Sequence, residues 1–212
     1  MIITYHGMES FKVQFGDTVL AFNPISKDSK LKAARYGADI ALISMQHPDL
    51  NGVEQVSFGE KQAFAVTGPG EYEIKDISVK GFDAGANVDG KRNTMYVTTL
   101  EGMHIVFLGA LAHKDLSAEL KSALPDVDLL FVPIGGGTVL TASEAYKLAV
   151  SLEPRLIVPM HYDDSKEGRA ALTAFLKEAG EEKLEAVEKL TLKKKDLEGK
   201  EGEIVVFSSV TA

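Results

Sequence analysis

The chain has 212 residues, 45% hydrophobic and 25% charged, with a formal net charge of −8. This length and balance suit a globular protein with a sizeable core, and the negative charge argues against a nucleic-acid backbone as the main partner. Cysteine is absent, which excludes disulfides, thiolate zinc sites and a cysteine nucleophile and is compatible with a reducing cytoplasm.

The opening Met1-Ile-Ile-Thr-Tyr-His6 lacks the basic region, long apolar core and small-residue cleavage site of a signal peptide. No apolar run is long enough to span a bilayer, so no membrane role is expected and the cytoplasm is the expected location. The basic run Lys193-Lys194-Lys195 reads as a solvated turn.

The first hundred residues or so read mostly as short strands: Ile2–Tyr5, Phe11–Phe15, Thr18–Phe22, Asp39–Ser44, Ala63–Thr67, Ile77–Lys80 and Thr94–Thr99. They are rich in Val, Ile, Phe, Tyr and Thr and are separated by Gly, Asn and Asp turns. Phe15-Gly16-Asp17-Thr18 reads as a tight hairpin, and Lys30–Tyr36 as a short helix stopped near Gly37. From His104 strands and helices alternate. His104–Leu108, Leu129–Val132 and Leu156–Val158 are strands, and Lys114–Leu124, Thr141–Leu152 and Ser165–Ala179 are helices. Thr141 and Glu144 have capping-box spacing, and Ala145, Leu148, Ala149 and Leu152 form one apolar stripe. Gly180 stops the last helix, and strands near Lys189–Leu192 and Glu203–Phe207 complete the chain. No linker or low-complexity tract interrupts this order, which predicts one domain over residues 1–212 with a layered sheet and helices outside.

Four buried strands run into unusual loops: His47-Pro48-Asp49, Gly109–His113, Pro133–Gly137 and Pro159–Asp164. Sites in sheet proteins gather where strand ends meet at one edge. The loops also carry a family likeness. Gly7-Met8-Glu9-Ser10-Phe11, Asn23-Pro24, Ser44-Met45-Gln46-His47-Pro48-Asp49-Leu50, Gly68-Pro69-Gly70-Glu71-Tyr72-Glu73, Gly109-Ala110-Leu111-Ala112-His113, Val132-Pro133-Ile134-Gly135-Gly136 and Pro159-Met160-His161-Tyr162 follow one another. In content and order this series resembles the small, lactonase-like branch of the metallo-β-lactamase superfamily. The resemblance covers nearly the whole chain. It implies an α/β four-layer αββα sandwich, in which two mixed β-sheets face each other with helices on the outer faces.

It also implies a two-metal site, and here the chain departs from the pattern. Met45 and Leu50 stand where the family's loop carries histidines, and Ala110 where it carries a bridging aspartate. No histidine occurs near Gly81–Ala84, where a third ligand to the first metal would lie. Met8 and Asn23 replace a supporting histidine and aspartate. The residual metal positions are His47, Asp49 and His161. Thioether sulfur is a poor zinc ligand beside imidazole, and leucine binds nothing. Weak or no metal binding is therefore expected at these three residues, with no resident cofactor, or zinc if any.

Each residue also has a plainer reading. His47 and Asp49 could shape a turn around Pro48, His161 could bond a neighbouring backbone group, and His113 reads as structural. Glu71 and Glu73 share one face of an extended segment and suit a solvated surface. Gly135-Gly136-Gly137 lacks the Lys-Ser/Thr of a phosphate loop and suits a turn that needs positive φ. The leading expectation is a degenerate, non-catalytic protein of this fold that binds a small molecule or a protein partner. The alternatives are a metal-dependent hydrolase of lactones, esters or phosphoesters through a reduced site, and a structural assembly module. The oligomeric state is not legible, and a homo-oligomer stays open.

Overall fold

The computed structural model describes residues 1–87, 89–163, 165–181 and 183–210. Asp164, at the end of the fourth loop named above, lies outside the described residues.

Two mixed sheets face each other. The first has six strands in the order β12-β1-β2-β3-β4-β5. Its strands are β1 (Ile2–Tyr5), β2 (Phe11–Phe15), β3 (Thr18–Phe22), β4 (Ile40–Leu42), β5 (Phe64–Val66) and β12 (Lys189–Thr191). The second has seven strands in the order β13-β11-β10-β9-β8-β7-β6. These are β6 (Gly70–Ile74), β7 (Ile77–Ala86), β8 (Arg92–Leu100), β9 (Met103–Phe107), β10 (Leu129–Pro133), β11 (Leu156–Met160) and β13 (Glu203–Ile204). The helices are α1 (Val53–Val56), α2 (Ala118–Ala123), α3 (Ala142–Ser151) and α4 (Lys166–Glu178). Among the described residues no helix is long and apolar enough to cross a membrane.

Period-two alternation explains the layers. In β3, Leu20 and Phe22 enter the large core between the sheets, while Val19 and Ala21 join Ala41, Ile43 and Val56 of α1 on the other face. A strand covered on both faces reads as a continuous apolar run, as β3 and β4 do. Across the interface Phe11 meets Phe131 at 4.7 Å between ring centroids, and Phe22 meets Phe107 at 5.0 Å. Leu42, Ile43, Ile105, Phe107, Leu130, Val132, Ile157 and Val158, which lie in or next to the four strands read as buried, are all buried.

The helix caps follow the sequence. Thr141 and Glu144 form the capping box at α3, Ser165 caps α4, and Gly180 takes φ 77° just beyond its end. The hairpin at Gly16 joins Phe15 to Thr18. Other boundaries differ. β7 and β8 are longer than their apolar cores suggested, because each pairs along its length with the other. The helix expected over Lys114–Leu124 shrinks to α2, which opens at the Ser117 cap. The last strand, expected as far as Phe207, stops at Ile204; Phe207 makes only an isolated bridge to Val187.

The expected helix over Lys30–Tyr36 does not form. This stretch is irregular, tied by Tyr36 N–H donating to the Gln55 carbonyl and by Tyr36 stacking on His6. Tertiary partners outweigh a weak helical pattern here.

Asp39 fastens the first sheet to flanking loops and gives one pH prediction. Its buried carboxyl accepts from the Val19 N–H at 2.8 Å, from Lys61 Nζ at 2.6 Å and from Lys75 Nζ. Burial alone would raise its pKa; the bonds from Lys61, Lys75 and Val19 outweigh that and hold it down at about 2. A lowered folded pKa contributes stability that is present above the unfolded value near ~4 and is lost as pH falls towards the folded one. Asp39→Asn is therefore expected to flatten the stability loss between about pH 4 and pH 2. At neutral pH it should remove about 1–2 kcal/mol, after discounting for the exposure of both lysines. Urea midpoints across that pH range test this; an unchanged slope would refute it.

Candidate functional site

The candidate site is assembled at the ends of β1, β3, β4, β9 and β11, where the motif loops lie. The β1–β2 connection is a tight turn, with Gly7 at φ 98°, Met8 at φ 53° and Ser10 N–H donating to the Gly7 carbonyl at 2.8 Å. It places the whole Glu9 side chain in the interior. At the end of β11 the chain turns at His161 with φ 61°. A left-handed histidine is uncommon and persists only where its surroundings determine it. Here the His161 N–H donates to the Met8 carbonyl, and Tyr5 Oη donates to the carbonyls of Tyr162 at 2.9 Å and Met8 at 3.0 Å.

These turns bring four polar side chains into one buried network. Glu9 Oε1 lies 2.6 Å from His161 Nδ1. Glu9 Oε2 accepts from Asn23 Nδ2 at 2.7 Å. The same Asn23 amide donates to Ser44 Oγ at 2.7 Å, and its Oδ1 accepts from the Ser44 N–H at 2.7 Å. Asn23, at φ 41° after β3, adopts the left-handed conformation that asparagine tolerates best among non-glycine residues. Ser44 also ties the two sheets, since its carbonyl accepts from Thr94 N–H at 2.8 Å. Beside it, Asn93 Oδ1 accepts from the Ala110 N–H at 3.0 Å, and its Nδ2 donates to the Leu108 carbonyl at 2.8 Å. The loop after β9 passes so close that a Cβ on Gly109 would stand 2.5 Å from both Asn93 Oδ1 and Ser44 Cβ. Gly109, at φ 59°, is thus required on both counts.

Next to this network lie three of the positions at which the resemblance places metal ligands. Met45, Leu50 and Ala110 form one buried apolar cluster with Val139. Residues far apart in sequence therefore converge here, and they bring alkyl and thioether groups to the place. Met45 Sδ accepts a weak bond from Asn87 Nδ2 at 3.5 Å. Outside the cluster lies a cleft of about 320 Å³, lined among others by Met45, Thr67, Asp83, Lys91 and Arg92.

The residual donors have other engagements. His47 Nδ1 accepts from the Asp49 N–H at 3.2 Å, so that nitrogen offers its lone pair to the backbone. At 3.6 Å the nearer Asp49 oxygen is too far from it for a hydrogen bond. Asp49 Oδ1 accepts from Ser29 Oγ, and Leu50 N–H donates to the His47 carbonyl at 2.8 Å. The loop is thus a self-bonded turn around Pro48. His113 is exposed. Glu71 and Glu73 are exposed on β6, and Glu71 pairs with Lys80 of β7 at 3.1 Å. Gly136 and Gly137 take φ 71° and 66°, as a turn requires, and a Cβ on Gly135 would stand 2.3 Å from the His161 carbonyl oxygen.

The donor set does not fit the two-metal centre that the resemblance implies. Among the described residues no three His, Asp or Glu side chains come together so as to hold a metal ion. An open catalytic zinc site uses three protein ligands and a water. Sequence reasoning named His47, Asp49 and His161 but missed Glu9 and Asn93. The available signals were a carboxyl residue inside a turn motif bounded by buried Tyr5 and Phe11, and an asparagine in a strand, where that residue is depleted.

Fold and site together define a two-sheet α/β sandwich with its candidate site at the strand ends. The chain belongs to the beta-lactamase superfamily, whose domain model matches residues 2–161. A crystal structure of a Thermotoga maritima protein of the metallo-beta-lactamase superfamily is similar with a TM-score of 0.79. It is 27% identical, with 97% of each chain covered. A protein of Listeria innocua named as a metal-dependent hydrolase is 26% identical over 198 residues, covering 77% of this chain and 86% of that protein. A Thermococcus onnurineus protein of the same name is 33% identical over 102 residues, covering 45% of this chain.

Proposed function

We propose that this chain is a non-catalytic member of its family whose site binds a small molecule or a protein partner. The observation that carries the reading is the buried cluster of Met45, Leu50, Ala110 and Val139. Apolar walls disfavour a divalent ion, which must exchange its hydration shell for polar ligands. Without a cation nothing lowers the pKa of a water towards neutrality or polarises a scissile carbonyl. The Glu9–His161–Asn23–Ser44 network then serves to hold the strand ends together, its polar groups satisfied by one another.

A second reading, a metal-dependent hydrolase with a reduced site, is supported by the names of the relatives and by one contact. A carboxylate on one imidazole nitrogen is how proteins orient a metal-ligating histidine, and Glu9 stands so to His161. On that reading His47, Asp49 and His161 would hold the ion, and zinc would supply Lewis acidity.

Elemental analysis of protein purified without chelator separates the two. The expected result is no stoichiometric transition metal, and no metal-dependent turnover of lactones, β-lactams or phosphodiesters. A lone histidine base supplies only about 10²–10⁴-fold acceleration, which would be hard to see on an unactivated ester. About one or two tightly held ions per chain, or a chelator-sensitive activity abolished by His161→Ala, would instead establish the hydrolase.

A further inference from the structure

We propose that the cleft beside Met45 binds a small carboxylate ligand, its anionic end at Lys91 and Arg92 and its apolar body against Met45. The inference rests on the binding-site reading above and names the chemical class of its ligand.

The cleft holds about 320 Å³, at the lower end of the range for small-molecule sites. Met45, a member of the buried apolar cluster, is among its lining residues, so an apolar group lying there meets the edge of that cluster. Two further lining residues are basic. Lys91 is half-buried and its ammonium makes no ion pair among the described residues. Among the described residues Arg92 pairs with Asp83 alone, and its planar fork of donors exceeds what one carboxyl can occupy. Such a basic pair is unexpected in a chain whose net charge is −8.

Counting charge selects the ligand. Lys91 and Arg92 offer two positive charges and Asp83 one negative, which leaves one cation for an incoming anion. A carboxylate neutralises it. A phosphate dianion would add a surplus negative charge beside Asp83. The larger cavity of about 530 Å³ near Tyr146 and Val150 gives the contrast, being edged by Glu153 and Glu201. Its lysine, Lys200, is already paired with Glu203. That cavity repels anions; the cleft beside Met45 attracts them.

Octanoate is a suitable probe, with octanamide as its uncharged analogue and inorganic phosphate as the competing anion. Calorimetry on the intact protein should show saturable octanoate binding, with a Kd of about 0.1–1 mM. Octanamide should bind about tenfold more weakly or worse, and Lys91→Gln and Arg92→Gln should each lower octanoate affinity by about tenfold. Both side chains reach solvent, so the variants should fold, which circular dichroism checks. The inference is overturned if octanoate does not saturate by about 20 mM, if octanamide binds as well, if phosphate binds more tightly, or if both variants bind octanoate normally. Zinc content measured on the same sample keeps the two readings apart: metal-free protein that ignores octanoate removes this inference alone.

Discussion

The variant Met45→His/Leu50→His/Ala110→Asp is expected to bind zinc more tightly than the unmodified chain. The three positions already share one cluster, so the new side chains would face a common point. His161 would join them through Nε2, because Nδ1 is engaged by Glu9. Without metal each change buries an unsatisfied polar group at about 1–3 kcal/mol. A ligand that binds only the folded state stabilises by about 4 kcal/mol when present at a thousand times its Kd. For a chain of this size that corresponds to a rise of about 8–16 °C in Tm. Differential scanning calorimetry with and without zinc measures it. A variant that folds but whose Tm ignores zinc would show that the loops do not correspond to the family's ligand positions. Val139, the fourth member of the cluster, is the residue that must yield space.

Glu9→Ala should be the most damaging single substitution at the site. Glu9 is fully buried and answers two groups at once, His161 Nδ1 and Asn23 Nδ2. Truncation removes one partner from each and leaves a cavity beside them, and each such loss in the interior costs about 1–3 kcal/mol. A total loss near 3 kcal/mol, or about 6–12 °C in Tm, follows. Glu9→Gln should lose much less. Its carbonyl oxygen can accept from Asn23 while its amide faces His161 Nδ1 as donor, provided the imidazole takes the tautomer with Nε2 protonated. Urea unfolding of the three proteins decides the matter. If Glu9→Ala stays within about 0.5 kcal/mol of the unmodified chain, the network is not what holds these strand ends.

These two experiments address different halves of the site. The first asks whether the apolar cluster occupies a place that could be a metal centre. The second asks whether the polar network carries stability of its own. The turn at His161, with φ 61°, needs support from its surroundings, and the network supplies contacts that can give it.

The sequence by itself determined the architecture, because that information is local and repeated. Alternating apolar residues placed Leu20 and Phe22 on one face of β3 and Val19 and Ala21 on the other. The Thr141–Glu144 spacing began α3 and Gly180 ended α4. The ordered loops, from Gly7–Phe11 to Pro159–Tyr162, were legible as one family's series, and with them the sites of replacement at Met45, Leu50 and Ala110. What the tertiary structure decided is which side chains meet around those positions. Glu9 and His161 are 152 positions apart, and Asn23 and Ser44 are 21 apart, so no local pattern could join them. The same holds for Tyr36, whose stacking on His6 replaced an expected helix with an irregular segment. The clustering of Leu50 and Ala110 with Val139, and the meeting of Met45 with Lys91 and Arg92 in one cleft, likewise depend on how strand ends from two sheets are brought to one edge. Backbone pattern is set by neighbours in sequence. A site is set by neighbours in space, which only the packed sheets supply.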